Sequence, residues 1–226
     1  MIQDFVALIY PDLCISCENT LNKGEKYICI SCLLELPETN YHKEKENPIA
    51  KKFYGKVLIQ NAMAFYRFKK GSRLQTIMHQ LKYKEAQEIG EILGKKYGLK
   101  LKKDGFSEAF DLIIPVPLHK NKLLKRGFNQ AAVISKGLSE GLGIPYSDEI
   151  LVRSIYTDSQ TKKNRMERWK NVDNIFIVPN LDDIKDKRIV IVDDVITTGS
   201  TIEACADALL KNGASEVSIA CLAVAE

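Results

Sequence analysis

From residue 110 onward the chain repeats short apolar runs separated by helix-like segments, and that alternation limits the folds open to it. FDLIIPV (110–116), NIFIV (174–178), RIVIVDD (188–194) and VSIACLAV (217–224) read as strands. NQAAVISKGLSEGLG (129–143) and STIEACADALLKNGA (200–214) read as helices, the first ending in a glycine stop. Strands this uniformly apolar are covered on both faces, which predicts a mostly parallel sheet between helical layers. In such sheets ligands collect at the carboxyl ends of the strands.

Upstream of residue 110 the pattern is looser. KVLIQNAMAFYRF (56–68) is rich in β-formers and predicts a hairpin with Gln60 and Asn61 near its bend. SRLQTIMHQLKY spaces Leu74, Ile77, Met78 and Leu81 at helical intervals, and a further helix is expected from about Glu85. LPETNYHKEKENPIAKK (36–52) reads as a polar linker. No apolar segment reaches the roughly 18–20 residues of a membrane helix, and the first residues lack a secretory pattern, so the expected address is the cytoplasm. The net charge of +4 is mild, but its distribution is uneven. Residues 115–170 carry eleven Lys/Arg against five Asp/Glu, whereas residues 181–226 carry four against nine. The first of these regions is suited to anions.

VIVDDVITTGST (190–201) concentrates the chemistry. A strand ending at Asp194, a turn through Thr197, Thr198 and Gly199, and a helix opening at about Ser200 would aim free N–H groups and a positive helix end at one spot. That spot suits a phosphate, with the hydroxyls of Thr197, Thr198, Ser200 and Thr201 completing the contacts. The segment has neither the GxxxxGK[ST] spacing nor a lysine, which favours one monoester phosphate over a triphosphate. Asp193 and Asp194 repel phosphate and call for hydroxyls or a hydrated divalent ion. A 5-phosphorylated ribose meets both demands. The competing bland reading is a solvated acidic pair beside a capped helix.

These twelve positions resemble the phosphoribosyl pyrophosphate signature of type I phosphoribosyltransferases. Along nearly the whole chain the sequence resembles the competence-associated ComF family. The motifs are Lys82-Tyr83, the PVPL turn Pro115–Val116–Pro117–Leu118, RGFNQ from Arg126 to Gln130, Arg153, Thr157 and Gln160, and the basic pair Arg165 and Arg168. The resemblance implies a type I phosphoribosyltransferase fold, α/β with a small hood. It also implies that residues 115–118 face pyrophosphate and that residues near 156–168 close over it. Arg126, Arg165 and Arg168 would help to stabilise the leaving diphosphate. Mg²⁺ is implied as the ion that bridges polyphosphate oxygens. His119 would lie near the pyrophosphate turn. The same basic segment is also suited to single-stranded DNA, with Phe128, Tyr156 or Trp169 stacking on bases.

Six cysteines form two groups. Cys14, Cys17, Cys29 and Cys32 make two CxxC knuckles whose four thiolates suit a structural, tetrahedral Zn²⁺, with a pair of disulfides as the competing reading. Cys205 and Cys221 sit in apolar periodic surroundings and are expected in the core.

The expected layout is a zinc-binding unit with linker at 1–45 and a phosphoribosyltransferase-like domain at 46–226, its hood partly from about 50–105 and its core from about 106. Three functions follow. One is a phosphoribosyl pyrophosphate and Mg²⁺ binding protein serving natural competence and the handling of transforming single-stranded DNA. Another is an active phosphoribosyltransferase in nucleotide salvage, with Asp193, Asp194, Arg165 and Arg168 as its catalytic set. The third is a non-enzymatic DNA-binding adaptor. The resemblance further implies a competence helicase or recombination mediator as protein partner.

Overall fold

The computed structural model describes residues 11–83, 87–153 and 175–225. Its centre is a four-stranded, all-parallel sheet built from β1 (Ala62–Phe68), β2 (Leu112–Pro115), β5 (Arg188–Ile196) and β6 (Glu216–Ala225), in the order β1-β6-β5-β2. β3 (Val152–Arg153) and β4 (Phe176–Ile177) form a separate antiparallel ribbon. The helices are α1 (Ile30–Leu34), α2 (Arg73–Gln80), α3 (Gln87–Lys103), α4 (Lys120–Arg126), α5 (Gln130–Leu142) and α6 (Ser200–Lys211).

The continuous apolar runs of β5 and β6 have the expected cause. Ile189 and Ile191 of β5 join Val217, Ile219 and Cys221 of β6 in one cluster, which α6 covers with Ile202, Cys205 and Leu209. Val190 and Val192 join Ala220 and Leu222 on the other face, under α3 and α5. Alternate residues thus serve opposite layers of one sheet. Cys205 and Cys221 are both fully buried, as their surroundings predicted.

α3 and α5 approach so closely that glycine is required along the contact. A Cβ on Gly94 would overlap the Ile134 carbonyl, and one on Gly137 would overlap the Glu91 carbonyl; Gly98 and Gly141 face each other in the same way. Each glycine costs a helix about 1 kcal/mol relative to alanine. The gain is backbone contact over several turns, with Tyr97 of α3 stacked on Phe65 of β1 at 4.6 Å beneath it.

Three elements differ from the sequence reading. KVLIQNAMAFYRF makes one strand, Ala62–Phe68, and no hairpin, because β1 takes β6 as a parallel partner from Ala62↔Ile219 to Phe68↔Ala225. NIFIV contributes only Phe176 and Ile177, to the antiparallel ribbon and not to the main sheet. β5 runs past the acidic pair to Ile196, because Val195 and Ile196 still pair with Ala223 and Val224 of β6. Helix α4 was not foreseen.

The segment 36–52, polar in composition, is tightly held. Thr39 N–H donates to the Phe65 carbonyl and Arg67 N–H to the Pro37 carbonyl, each at 2.9 Å, so residues 37–39 line the outer edge of β1. Asn47 is buried; its Nδ2 bonds the Ala62 carbonyl at 2.7 Å, and its Oδ1 accepts from the Ile49 and Ala50 amides. The four-cysteine segment shares the hydrophobic cluster of α3 and β1 through Cys14, Cys32 and Leu36. Lys96 of α3 ties the two together, donating to the Leu33 carbonyl at 3.1 Å and pairing with Glu38 at 3.1 Å. Of the residues assigned to a hood, Ala62–Phe68 thus lie in the main sheet, and Gln87–Lys103 pack on α5.

Gly137→Ala is expected to lower stability by about 1–3 kcal/mol, since the Glu91 backbone must move. Gly90→Ala, whose Cβ meets the side chain of Val133, is expected to cost less. Urea denaturation of both variants gives the ranking.

Candidate ligand site at the carboxyl end of the sheet

β5 delivers Asp193 and Asp194 to the carboxyl end of the sheet, where each carboxylate accepts the next residue's backbone N–H: Asp194 N–H to Asp193 Oδ1 at 2.9 Å, and Val195 N–H to Asp194 Oδ1 at 2.7 Å. The chain then turns through Thr197 and Thr198 into α6. Gly199 is the N-cap residue, at φ +85°. It is needed there twice over, because a Cβ would be strained by that φ and would meet Phe53 Cζ at 2.9 Å. Having no side chain, it leaves the α6 N-terminus without a side-chain cap, unlike α2, α4 and α5, which are capped by Ser72, His119 and Asn129. The Ser200 N–H leans on Thr198 Oγ1 at 3.5 Å, and the N–H groups of Thr201 and Ile202 are left for an anion. Thr198 Oγ1 and Ser200 Oγ lie 3.2 Å apart at the mouth. Asp193, Thr197, Thr198, Gly199, Ser200 and Thr201 all line one small cavity of about 50 Å³.

The acidic pair is electrostatically tense. Burial, together with the neighbouring Asp194 charge, pushes the Asp193 carboxyl up to about 8. A carboxyl held protonated can donate as well as accept, so the pair offers a neutral hydroxyl both kinds of hydrogen bond.

Pro115 ends β2 beside Val192 of β5, and the Val116 N–H still donates to the Val192 carbonyl at 2.8 Å. The turn Pro115–Leu118 thus stands next to the acidic strand, on the side away from β6. Asn129 fixes it from α5, with Nδ2 donating to the Val116 carbonyl at 3.0 Å and Oδ1 capping α5 through the Ala131 N–H at 3.1 Å. The sequence reading missed this clamp, although an asparagine just before an apolar helical run is an N-cap signal. His119 is exposed and caps α4 through Nδ1 and the Asn121 N–H. α4 carries Lys120, Lys122, Lys125 and Arg126, buries no residue, and ends at Gly127 with φ +78°. Beyond the turn, Pro117, Leu118, Phe128, Tyr146 and Arg153 border a larger open cavity of about 570 Å³; neither aspartate lines it.

The structure therefore brings Asp193 and residues 197–201 around one cavity, with Asp194 next along β5, and sets residues 115–118 at the end of the adjacent strand. Arg165 and Arg168, with Thr157, Gln160, Tyr156 and Trp169, lie outside the described residues. At the other end of the chain, the ligand atoms of Cys14, Cys17, Cys29 and Cys32 all lie within 4.8 Å of one another. The Cys17 and Cys29 sulfurs are 3.8 Å apart, close to the roughly 3.8 Å edge of a tetrahedron with metal–sulfur bonds of about 2.3 Å. Burial raises the Cys14 thiol, but hydrogen bonds from the Cys29, Cys17 and Ser16 backbones outweigh it and bring it to about 6, which favours a thiolate. The cluster could hold a metal ion.

Residues 123–225 match the family described as phosphoribosyl transferase domain. The DNA utilization protein YhgH of Escherichia coli O157:H7 is 34% identical over 152 residues, covering 66% of this chain and 66% of that protein. Competence protein F of Haemophilus influenzae is 36% identical over 110 residues, 48% of each chain. Competence protein ComFC of Bacillus subtilis is 25% identical over 209 residues, 91% of this chain and 82% of that one. The chain belongs to the ComF-like family of the phosphoribosyltransferase superfamily. Among solved structures, this ComF-like chain matches the purine phosphoribosyltransferase of Pyrococcus horikoshii with a TM-score of 0.34 and 28% identity, over 58% of this chain and 73% of that one. It matches the glutamine phosphoribosylpyrophosphate amidotransferase of B. subtilis with a TM-score of 0.45 and 21% identity, over 64% and 30%. The ComF-like motif RGFNQ and its PVPL turn are the two pieces that Asn129 joins. No helix among the described residues is long and apolar enough to cross a membrane.

The raised Asp193 carboxyl has a sign that can be checked. Its folded value lies above the ordinary one near 3.8, so the folded state holds the extra proton and stability falls as pH rises from about 4 to about 8. Asp193→Asn is expected to flatten that slope and to stabilise the free protein at pH 8 by about 1 kcal/mol or more. Thermal melting of both proteins across this pH range measures it.

Proposed function

We propose that this ComF-like chain binds phosphoribosyl pyrophosphate together with Mg²⁺. The observation that supports the reading is the meeting of Asp193, with Asp194 next to it on β5, and the N-terminus of α6 around one small cavity that Asp193 lines. Asp193 and Asp194 take the ribose hydroxyls, and residues 197–201 take the 5-phosphate through first-turn N–H groups and hydroxyls. The cavity is well below the roughly 300 Å³ and more of a whole-nucleotide site, which suits a single phosphate. The Pro115–Leu118 turn, Arg126, and Arg165 and Arg168 serve the pyrophosphate.

Mg²⁺ fits the donor set, because the oxygens of the Asp194 carboxylate, of the Asp193 carboxyl once it gives up its proton, and of polyphosphate are hard ligands. When bound, it would neutralise charge on the departing diphosphate. The chain's own residues hold the sugar so that the bond from the anomeric carbon to pyrophosphate oxygen breaks toward the basic side of the site. Nucleotide salvage by transfer to a base is the enzymatic form of this reading. The cysteine cluster fits Zn²⁺ in a structural role, four thiols leaving no open position.

The chain acts in the cytoplasm in natural competence, on transforming single-stranded DNA and beside a helicase or recombination mediator. Relatives named for DNA utilization and competence support this, as does α4, a helix that buries no residue and carries four cations and no acidic residue. The unit at 1–45 is a fixed accessory to the domain at 46–226, with a hood drawn from part of 50–105.

Titration calorimetry is expected to show binding of phosphoribosyl pyrophosphate with Mg²⁺ and its loss in Asp193→Ala/Asp194→Ala; a wild-type protein that binds none removes the reading. Oligonucleotide affinity should fall steeply between 50 and 200 mM salt, roughly 0.7 log units per log salt for each phosphate contact. For the cysteine cluster, elemental analysis should find about one zinc per chain, and stripping it with a strong chelator should lower the melting midpoint by about 5 °C or more.

A further inference from the structure

Arg126 closes α4, and no carboxylate among the described residues pairs with it. Its Nη1 donates to Oε1 of Gln130 at 2.7 Å. A guanidinium has only donors, so the oxygen of the Gln130 amide must be the atom that faces it. The orientation of the amide is thereby fixed, and Nε2 is the atom left over. That Nε2 has no partner among the described residues, although Gln130 is only 3% exposed. A buried donor left unpaired is unfavourable, and Gln130 Nε2 shares that condition with Ser16 Oγ, Tyr97 Oη and Ser135 Oγ; of these, it is the one bonded through its other amide atom to an arginine.

The place of this donor gives it a role. Gln130 is the first residue of α5, a helix of 13 residues whose positive end adds to the Arg126 charge. The preceding residue, Asn129, is the one that holds the Val116 carbonyl of the Pro115–Leu118 turn. The guanidinium, its amide partner and the helix end therefore adjoin the residue that holds that turn. Asn129 is already satisfied on both amide atoms, so it acts on the turn's position, whereas Gln130 has one donor to spare.

We infer that Gln130 is a further ligand-binding residue, giving its Nε2 hydrogen to a phosphoryl oxygen of the diphosphate that Arg126 engages. This rests on the phosphoribosyl pyrophosphate reading and adds a neutral donor to its cationic set. The hydrogen bond between Arg126 and Gln130 has a second effect: it holds the guanidinium plane in one orientation before the ligand arrives, which lowers the ordering cost of binding. A lysine at 126 would lack the second nitrogen that makes this possible.

The test uses the full-length protein, Gln130→Met, Gln130→Glu and Arg126→Met. Calorimetry with phosphoribosyl pyrophosphate and Mg²⁺ is compared with ribose 5-phosphate, which lacks the diphosphate. Gln130→Met is expected to weaken phosphoribosyl pyrophosphate about tenfold and to leave ribose 5-phosphate within about twofold, with thermal melting reporting whether the variant is folded. Gln130→Glu, nearly the same shape, is expected to weaken it further, because a carboxylate neutralises Arg126 and repels the diphosphate; it carries the test if the methionine variant does not fold. In the double variant Gln130→Met/Arg126→Met the losses should fall short of additive. If both Gln130 variants bind phosphoribosyl pyrophosphate within twofold of wild type while Asp193→Ala/Asp194→Ala does not bind, Gln130 is structural and only this inference falls. If wild type itself binds none, the underlying reading falls with it.

Discussion

The register between β5 and β6 is the constraint on which the rest depends. From Arg188↔Glu216 to Ile196↔Val224 the two strands pair in parallel, buried on both faces. Because the pairing is parallel, the return from one strand to the next is a full helix, α6, and its N-terminus is set at the carboxyl end of β5. That single connection places two carboxylates and an uncapped helix end within a few residues of each other. β2 then adds on one side through Ile113↔Val190 and Pro115↔Val192, bringing the Pro115–Leu118 turn to the same end of the sheet. The site is thus a consequence of backbone geometry, with side chains supplying only its chemistry.

Much of this was legible because it is local. VIVDDVITTGST names a buried strand, a charged end and a helix start without reference to any other part of the chain. What could not be read was settled by distant partners. Val195 and Ile196 remain in strand because β6 continues alongside them, and KVLIQNAMAFYRF makes no hairpin because its partner lies more than 150 residues away. Composition misled at Asn47: a polar residue in a polar segment reads as linker until its amide is seen to hold five backbone groups, the carbonyls of Tyr41, Glu44 and Ala62 and the amides of Ile49 and Ala50. α4 escaped notice for the opposite reason. A helix that buries nothing has no apolar stripe to betray it, and only its caps, His119 and Gly127, mark its ends.

Polar groups around the turn show a division of labour that spacing alone does not reveal. Asn129 spends both ends of its amide on backbone, and Gln130 spends one on Arg126. Adjacent amides of nearly the same chemistry thus do different jobs, one fixing the chain and one keeping a donor in reserve. The difference follows from their positions at the helix start: the N-cap side chain folds back on the first turn, while the next side chain is turned toward the preceding helix.

Residues 37–39 lie along the outer edge of β1, and they are joined to the four-cysteine segment by only a few residues. An uncovered parallel edge of this kind, with Phe65 and Tyr66 in it, is a template for pairing with another chain. Residues 37–39 occupy that edge, so the segment that leads out of the cysteine unit blocks it as a template.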